Sequence, residues 1–117
     1  MTDPKTSKGF LPGTLPLTIV CITLNENHYL SDFIKNLSGW ANQICILDSY
    51  STDGTYETAL RYNLTIRRKR FENFSDQWNA AIHTLPVNNR WILKLDPDER
   101  LDERIKTEIG KIVLENA

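Results

Sequence analysis

Two aspartates one residue apart, Asp96 and Asp98, close a mostly apolar run of strand length, Trp91-Ile92-Leu93-Lys94-Leu95. A buried strand that ends in acidic residues delivers them to the loop where a sheet meets its ligand, and Pro97 stops the strand between them. Carboxylates this close repel each other unless positive charge sits between them, and a hard divalent cation with oxygen ligands is the usual occupant. The chemistry on offer is therefore cation-assisted handling of an anionic substrate. Letters alone do not establish it: with eight aspartates in 117 residues, roughly 0.5 occurrences of Asp-x-Asp are expected by chance. A solvated turn leading into an acidic helix start, built from Asp98, Glu99, Asp102 and Glu103, accounts for the same stretch through the helix dipole. Position must decide between the two.

The elements that set position can be read in order. Leu17 to Leu24 is β-branched and almost continuously apolar, the pattern of a strand covered on both faces. It ends in Asn25-Glu26-Asn27, residues that either touch a ligand or start a helix. Leu30, Phe33, Ile34, Leu37 and Trp40 follow at helical spacing. Ile44-Cys45-Ile46-Leu47 is a second buried strand that delivers Asp48, and Ser51, Thr52 or Asp53 would cap the helix beyond it, with Gly54 supplying backbone freedom. Asp48 is placed either to accept hydrogen bonds from a nucleobase or ribose, or to serve as a turn aspartate. Leu64-Thr65-Ile66 begins a third strand leading into Arg67-Arg68-Lys69-Arg70. Four cations in a strand alternate between faces, which fits a charge-guarded edge better than one phosphate site. Phe74, Trp78, Ala81, Ile82 and Leu85 form another helical stripe with Ser75 as its N-cap, Gln77 and Asn79 off the stripe, and His83 on the surface. Leu101, Ile105, Ile109, Ile112 and Val113 make a last amphipathic helix.

Strictly alternating strands and helices predict an α/β fold, a Rossmann-like, mostly parallel sheet with helices on both faces. All strand carboxyl ends then lie on one rim, where Asn25, Glu26, Asp48, Asp96 and Asp98 converge from distant parts of the chain. That convergence favours the ligand site over the solvated turn.

Composition bounds the partners. The length allows one domain, and 40% apolar residues supply a core. A formal charge of -1 and a pI near 6.1 give no general attraction to nucleic acid or to an anionic membrane. Cys21 and Cys45 sit inside apolar runs and read as buried thiols of a reducing compartment. No apolar run reaches transmembrane length and no signal-peptide core is visible, so a cytoplasmic location is expected, with peripheral contact at the inner membrane face left open. Residues 1 to 16, rich in proline and glycine, read as a flexible leader before a domain spanning 17 to 117.

With those elements placed, four segments resemble the family-two glycosyltransferases of the GT-A fold: Ile22-Thr23-Leu24-Asn25-Glu26, Leu47-Asp48-Ser49-Tyr50-Ser51-Thr52-Asp53-Gly54-Thr55, Phe74-Ser75-Asp76-Gln77-Trp78-Asn79-Ala80-Ala81 and Leu95-Asp96-Pro97-Asp98-Glu99. Within that family the chain is most similar to the branch acting on lipopolysaccharide-core or related cell-surface glycans. The resemblance implies the nucleotide-sugar-binding half of a GT-A domain, an inverting transfer to a glycan or glycolipid acceptor, and Mg²⁺ or Mn²⁺ as cofactor. It implies that Thr23, Leu24, Asn25 and Glu26 line the nucleoside pocket, that Asp48 contacts the base and that Asn79 lies near the donor. Asp96 would approach the ribose or the metal, and Asp98 would coordinate the cation bridging the phosphates. Family members continue for a further hundred residues or so, in the part that carries the acceptor pocket and the catalytic base. None of Glu99, Asp102 and Glu103 is therefore assigned as the base, and an apolar edge or face is expected to need a second chain, a further copy or a further segment. The alternatives are a non-catalytic binding module that keeps the fold, and a truncated relic.

Overall fold

A computed structural model describes residues 9–116. Four strands, β1 (Leu15–Thr23), β2 (Ala41–Asp48), β3 (Thr65–Arg68) and β4 (Trp91–Lys94), form one sheet in the order β3-β2-β1-β4. Every neighbouring pair is parallel. The α/β, Rossmann-like reading holds, and the charged strand lies at the sheet edge as its alternating cations suggested.

Helices α1 (Asn27–Leu37), α2 (Thr55–Arg61), α3 (Phe74–Thr84) and α4 (Glu103–Glu115) connect and follow the strands. On one face, Leu30, Phe33, Ile34 and Leu37 of α1, at i, i+3, i+4 and i+7, are buried against Leu17, Ile19, Ile44 and Ile46, with Ala59 of α2 and Val113 of α4 in the same core. On the other face α3 packs Ala81 and half-buried Trp78 over Val20, Cys45 and Leu47. Burial pushes the Cys21 thiol well up, and desolvation raises Cys45 to about 11.

Several sequence expectations shift in register. Residues 1–8 of the expected leader lie outside the described residues. Its remainder is tied down: the Phe10 N–H donates to the Tyr62 carbonyl, and the Gly13 N–H to the Ala41 carbonyl at 2.9 Å. The strand starts at Leu15 rather than Leu17 and contains Pro16. A proline lacks the ladder N–H, but the β1–β2 register is irregular between Leu15 and Thr18, and β4 begins only opposite Leu17, so no ladder bond is forfeited. In α3 the cap is Asn73, whose Oδ1 accepts from the Asp76 N–H at 2.8 Å, not Ser75. The buried face of α3 includes Gln77, which is fully buried although its type suggested otherwise, while Phe74 at the helix start is 70% exposed. On α4 the stripe is only half used, because Val113 is buried while Ile105 and Ile112 remain exposed.

The strand order runs β1, β2, β3 outward in one direction and then returns to place β4 on the far side of β1. This is a topological switch point: α1 and α2, which follow β1 and β2, lie on one face of the sheet and α3, which leads into β4, lies on the other, and the crevice opens at the carboxyl ends of β1 and β4.

A carboxylate-lined cleft at the sheet switch point

The crevice is a cleft of about 450 Å³ bounded by the ends of β1 (Ile22, Thr23, Leu24, Glu26) and the turn after β4 (Asp96, Pro97, Asp98), with Ser49 at its floor. Phe71, Phe74 and Trp78 form an aromatic wall from the start of α3. Phe71 and Phe74 meet edge to face at 5.1 Å between ring centroids, and the Lys94 ammonium sits 4.8 Å from the Trp78 ring centroid. The volume falls in the range of small-molecule sites.

The turn after β4 is built to present two carboxylates. The Asp96 N–H donates to the Glu99 carboxylate at 2.7 Å, and the Glu99 N–H donates back to the Asp96 carbonyl at 3.0 Å. Arg100 clamps the turn from outside, donating to the carbonyls of Pro97, Glu99 and Tyr29. Glu99 is thus occupied in holding the backbone, Asp102 accepts from the Ile105 N–H as the cap of α4, and Glu103 faces Lys106 at 3.7 Å. Asp96 and Asp98 remain exposed at the cleft, and among the described residues neither forms an ion pair.

Their charge is felt across the cleft. Desolvation, then Glu99 and Asp98, push the Asp96 carboxyl above its ordinary range, against a smaller opposing pull from Lys94. Glu26 is likewise raised by desolvation and then by Asp98 and Asp96, with His28 opposing. Glu26 and Asp96, each raised in part by neighbouring carboxylates, face a concentration of negative charge that a bound cation would relieve.

The rim loops beside them are arranged the other way. Asp48 is fully buried: its Oδ1 accepts from the hydroxyls of Thr23 (2.7 Å) and Ser51 (2.6 Å), and its Oδ2 from the Ser51 N–H (2.9 Å). Asn25, at φ 54, accepts from the Thr52 N–H at 2.8 Å and donates its own N–H to the Ser51 hydroxyl. Asp53 spans two helix starts, with one oxygen accepting from the Asn27 N–H at 3.0 Å and the other from the Thr55 N–H at 3.1 Å. The N-cap of α2 is Gly54 rather than Ser51, Thr52 or Asp53, and Asp53 instead bridges from just outside, accepting from the first N–H of each of the two helices. Desolvation pushes the Asp53 carboxyl up, but the hydrogen bonds from Thr55 and Asn27 outweigh it and leave the group below its ordinary range.

Of the residues singled out in the sequence, the fold brings Thr23, Leu24, Glu26, Asp96 and Asp98 to one cleft. Asp48 and Asn25 stand behind and beside it, their side-chain acceptors already engaged. Asn79 is exposed on α3, away from the cleft lining. Ser49 and the aromatic wall were not singled out as site residues. Ser49 accepts a hydrogen bond from buried Gln77 at 3.0 Å, so its own proton is free to point into the cleft. The Gln77 carbonyl oxygen has no partner among the described residues. Phe74 and Trp78 read as packing in the sequence because their spacing matches a core stripe; both line the cleft, and Trp78 also packs against the core beneath α3.

The residues also meet the needs of a divalent cation. Asp96 and Asp98 offer oxygen alone, the donor set of a hard ion. Among the described residues no cluster of three or more His, Cys, Asp or Glu side chains forms an all-protein cage. An ion held here would take its remaining ligands from phosphate oxygens and water, as Mg²⁺ commonly does.

Comparison with known proteins gives the chain a family. The profile of Glycosyl transferase family 2 matches residues 18–112, from the first strand into the last helix. The chain belongs to glycosyl transferase family 2. Among curated family members, the lipopolysaccharide core biosynthesis glycosyltransferase LpsC of Rhizobium meliloti is 32% identical over 97 residues, covering 79% of this chain and 35% of LpsC. An uncharacterized glycosyltransferase of Rickettsia conorii, RC0292, is 28% identical over 99 residues, covering 85% of this chain and 34% of its own length. The chain thus spans about a third of the curated relatives it matches. Among solved structures, TarS 1-349 of S. aureus, crystallised in complex with UDP, superposes with a TM-score of 0.64 at 17% identity, over 85% of this chain and 32% of that one. The sheet is accordingly that of the GT-A glycosyltransferase fold. Among the described residues no helix is long and apolar enough to cross a membrane.

Proposed function

We propose that residues 17 to 117 form the donor-binding part of a glycosyltransferase that uses a nucleotide-diphosphate sugar and a divalent cation, Mg²⁺ or Mn²⁺. The single observation behind this reading is the set of mutually repelling carboxylates, Glu26, Asp96 and Asp98, at the switch-point cleft. Asp98 and Asp96 would hold the cation, and Glu26 would share its field. A bound cation neutralises charge that accumulates on a diphosphate leaving group. Thr23 and Leu24 shape the nucleoside side of the cleft, Asp48 holds that wall from behind, and Ser49 offers a hydroxyl to an acceptor atom of the donor. Asn79 would contact only parts of the donor that extend past the cleft mouth.

A cell-envelope glycan as acceptor, in a cytoplasmic inverting transfer, is the reading favoured by the printed role of LpsC in lipopolysaccharide core biosynthesis together with the family resemblance. With Glu99, Asp102 and Glu103 occupied in turn and helix contacts, the group that deprotonates the acceptor hydroxyl belongs to another segment or chain. The exposed Ile105 and Ile112 of α4 offer an apolar strip for such a segment, chain or second copy to cover.

Thermal melting with UDP and MnCl₂ tests the donor site. Binding to the folded state alone raises Tm, by an amount equivalent to about 2.7 kcal/mol at a ligand concentration of a hundred Kd. Asp98→Ala is expected to abolish the rise. No rise for the unaltered chain at millimolar UDP and MnCl₂ overturns the reading.

A further inference from the structure

The turn that carries the two cleft aspartates has a conformation that its own sequence leaves open. The Glu99 N–H donates to the Asp96 carbonyl at 3.0 Å, so Asp96 to Glu99 is a β-turn with Pro97 and Asp98 at its centre. Proline at the first central position suits type I and type II alike. The two types differ by a flip of the peptide between Pro97 and Asp98, and type II requires a left-handed second residue, a conformation that aspartate adopts more readily than most. Asp98 is not among the residues with positive φ, so the turn is type I.

Arg100 acts on the very peptide that distinguishes the two. Its Nη1 donates to the Pro97 carbonyl, the oxygen of that central peptide, at 2.6 Å and to the Glu99 carbonyl at 2.8 Å. A flip would carry the Pro97 oxygen away from this donor. The Nη2 of Arg100 donates to the Tyr29 carbonyl at 3.0 Å, and the Tyr29 N–H donates to the Glu26 carbonyl at 3.0 Å. One guanidinium therefore joins the Asp96–Asp98 turn to the segment that carries Glu26. Among the described residues Arg100 forms no ion pair, although Asp98 and Glu99 are its neighbours in sequence. The planar fork is directed at three carbonyls together, a geometry that the point charge of a lysine does not reproduce.

We propose that Arg100 is a positioning residue: it locks the Pro97–Asp98 peptide in the type I turn and so fixes Asp98 in the orientation from which it takes the divalent cation. The cation comes from the donor reading, on which this part rests, whereas the lock stands on the hydrogen bonds themselves. Charge and geometry pull in opposite directions here. Removing a positive charge beside an acidic site would, through Coulomb attraction alone, tighten cation binding. Removing a group that orients a metal ligand weakens it.

Two measurements on the full chain test the lock. Mn²⁺ EPR in the presence of UDP reads the cation. The NOE between the Pro97 Hα and the Asp98 N–H, recorded without UDP or metal, reads the turn, since these protons are adjacent in type II and apart in type I. Arg100→Met removes the fork and keeps an apolar stem, while Arg100→Lys keeps the charge. Both are expected to weaken Mn²⁺ binding about tenfold and to strengthen the NOE, with the affinity for UDP in EDTA unchanged. Unchanged or tighter Mn²⁺ binding in Arg100→Met overturns the proposal, as does Arg100→Lys behaving like the unaltered chain. It also fails if the NOE is unchanged in both variants, or if UDP affinity in EDTA falls as far as Mn²⁺ affinity, which would mark a general loss of structure. If the unaltered chain takes up no Mn²⁺ with UDP while the NOE still responds to Arg100, the donor reading falls and the lock stands.

Discussion

Asp48 closes β2 and Asp98 follows β4, the two strands that flank β1, at one end of one sheet, yet their surroundings are opposed. Asp48 is fully buried and takes hydrogen bonds from Thr23 and Ser51 through both oxygens, so the fold has already used its acceptor capacity. Asp98 is exposed beside the cleft, raises Glu26 and Asp96 by its charge, and pairs with no cation among the described residues. The difference teaches how to separate scaffold from site among acidic residues at a strand end. A carboxylate whose hydrogen bonds close inside the protein holds loops together, whereas one left in repulsion awaits a ligand.

The strongest challenge to that division is Asp48→Ala. It leaves the Thr23 hydroxyl and the Ser51 N–H and hydroxyl short of an acceptor, the former in a buried place. Lost hydrogen bonds to a buried carboxylate predict destabilisation of about 3 kcal/mol in urea unfolding. Tm should fall by about 10–20 °C. Asp48→Asn keeps one acceptor oxygen and should recover part of the loss. Should Asp48→Ala unfold like the unaltered chain, Asp48 would have to be moved to the ligand side of the comparison.

Much of this contrast was hidden from sequence. The β-α alternation, the parallel sheet, the edge position of the basic strand and the delivery of Asp96 and Asp98 to one rim follow from apolar runs and helical spacing, which are local signals. Whether Asp48 faces a ligand or its own loop depends on Thr23, twenty-five positions away, and no local pattern reports such a pairing. Gln77 misled for the same reason: its amide type suggests solvent, while its burial is set by Ser49 and the Lys69 carbonyl. Phe74 misled in the opposite sense: it shares the helical spacing of Trp78 and Ala81, yet as the first residue of α3 it lies at the cleft and stays exposed.

Asp53 offers a middle case, exposed but hydrogen-bonded at two helix starts. Replacing it with alanine should cost about 1 kcal/mol, the usual worth of a lost N-terminal cap. The pH dependence has a definite sign. The folded carboxyl lies below its ordinary 3.8, so as pH falls the unfolded chain takes up this proton first. The Asp53 contribution is therefore complete above about 3.8 and disappears as pH drops through the folded value. Urea midpoints measured from pH 6 down to pH 3 should converge for the unaltered chain and Asp53→Ala. Parallel curves would show that its hydrogen bonds do not favour the charged form.

Asp98→Ala should have the smallest effect on stability, and for that reason it sharpens the comparison most. The side chain is exposed, accepts no hydrogen bond among the described residues, and repels Glu26 and Asp96. Removing it forfeits no contact that folding made and relieves like-charge repulsion, so the unliganded variant should unfold within about 0.5 kcal/mol of the unaltered chain. Any shift should be toward greater stability, and added salt should shrink it, since screening weakens the same repulsion. A loss of 2 kcal/mol or more would mean that Asp98 holds the turn after β4 as Asp48 holds the turn after β2. The repulsion across the cleft would then be incidental to a structural acid, and the physical reason for placing a cation there would be gone.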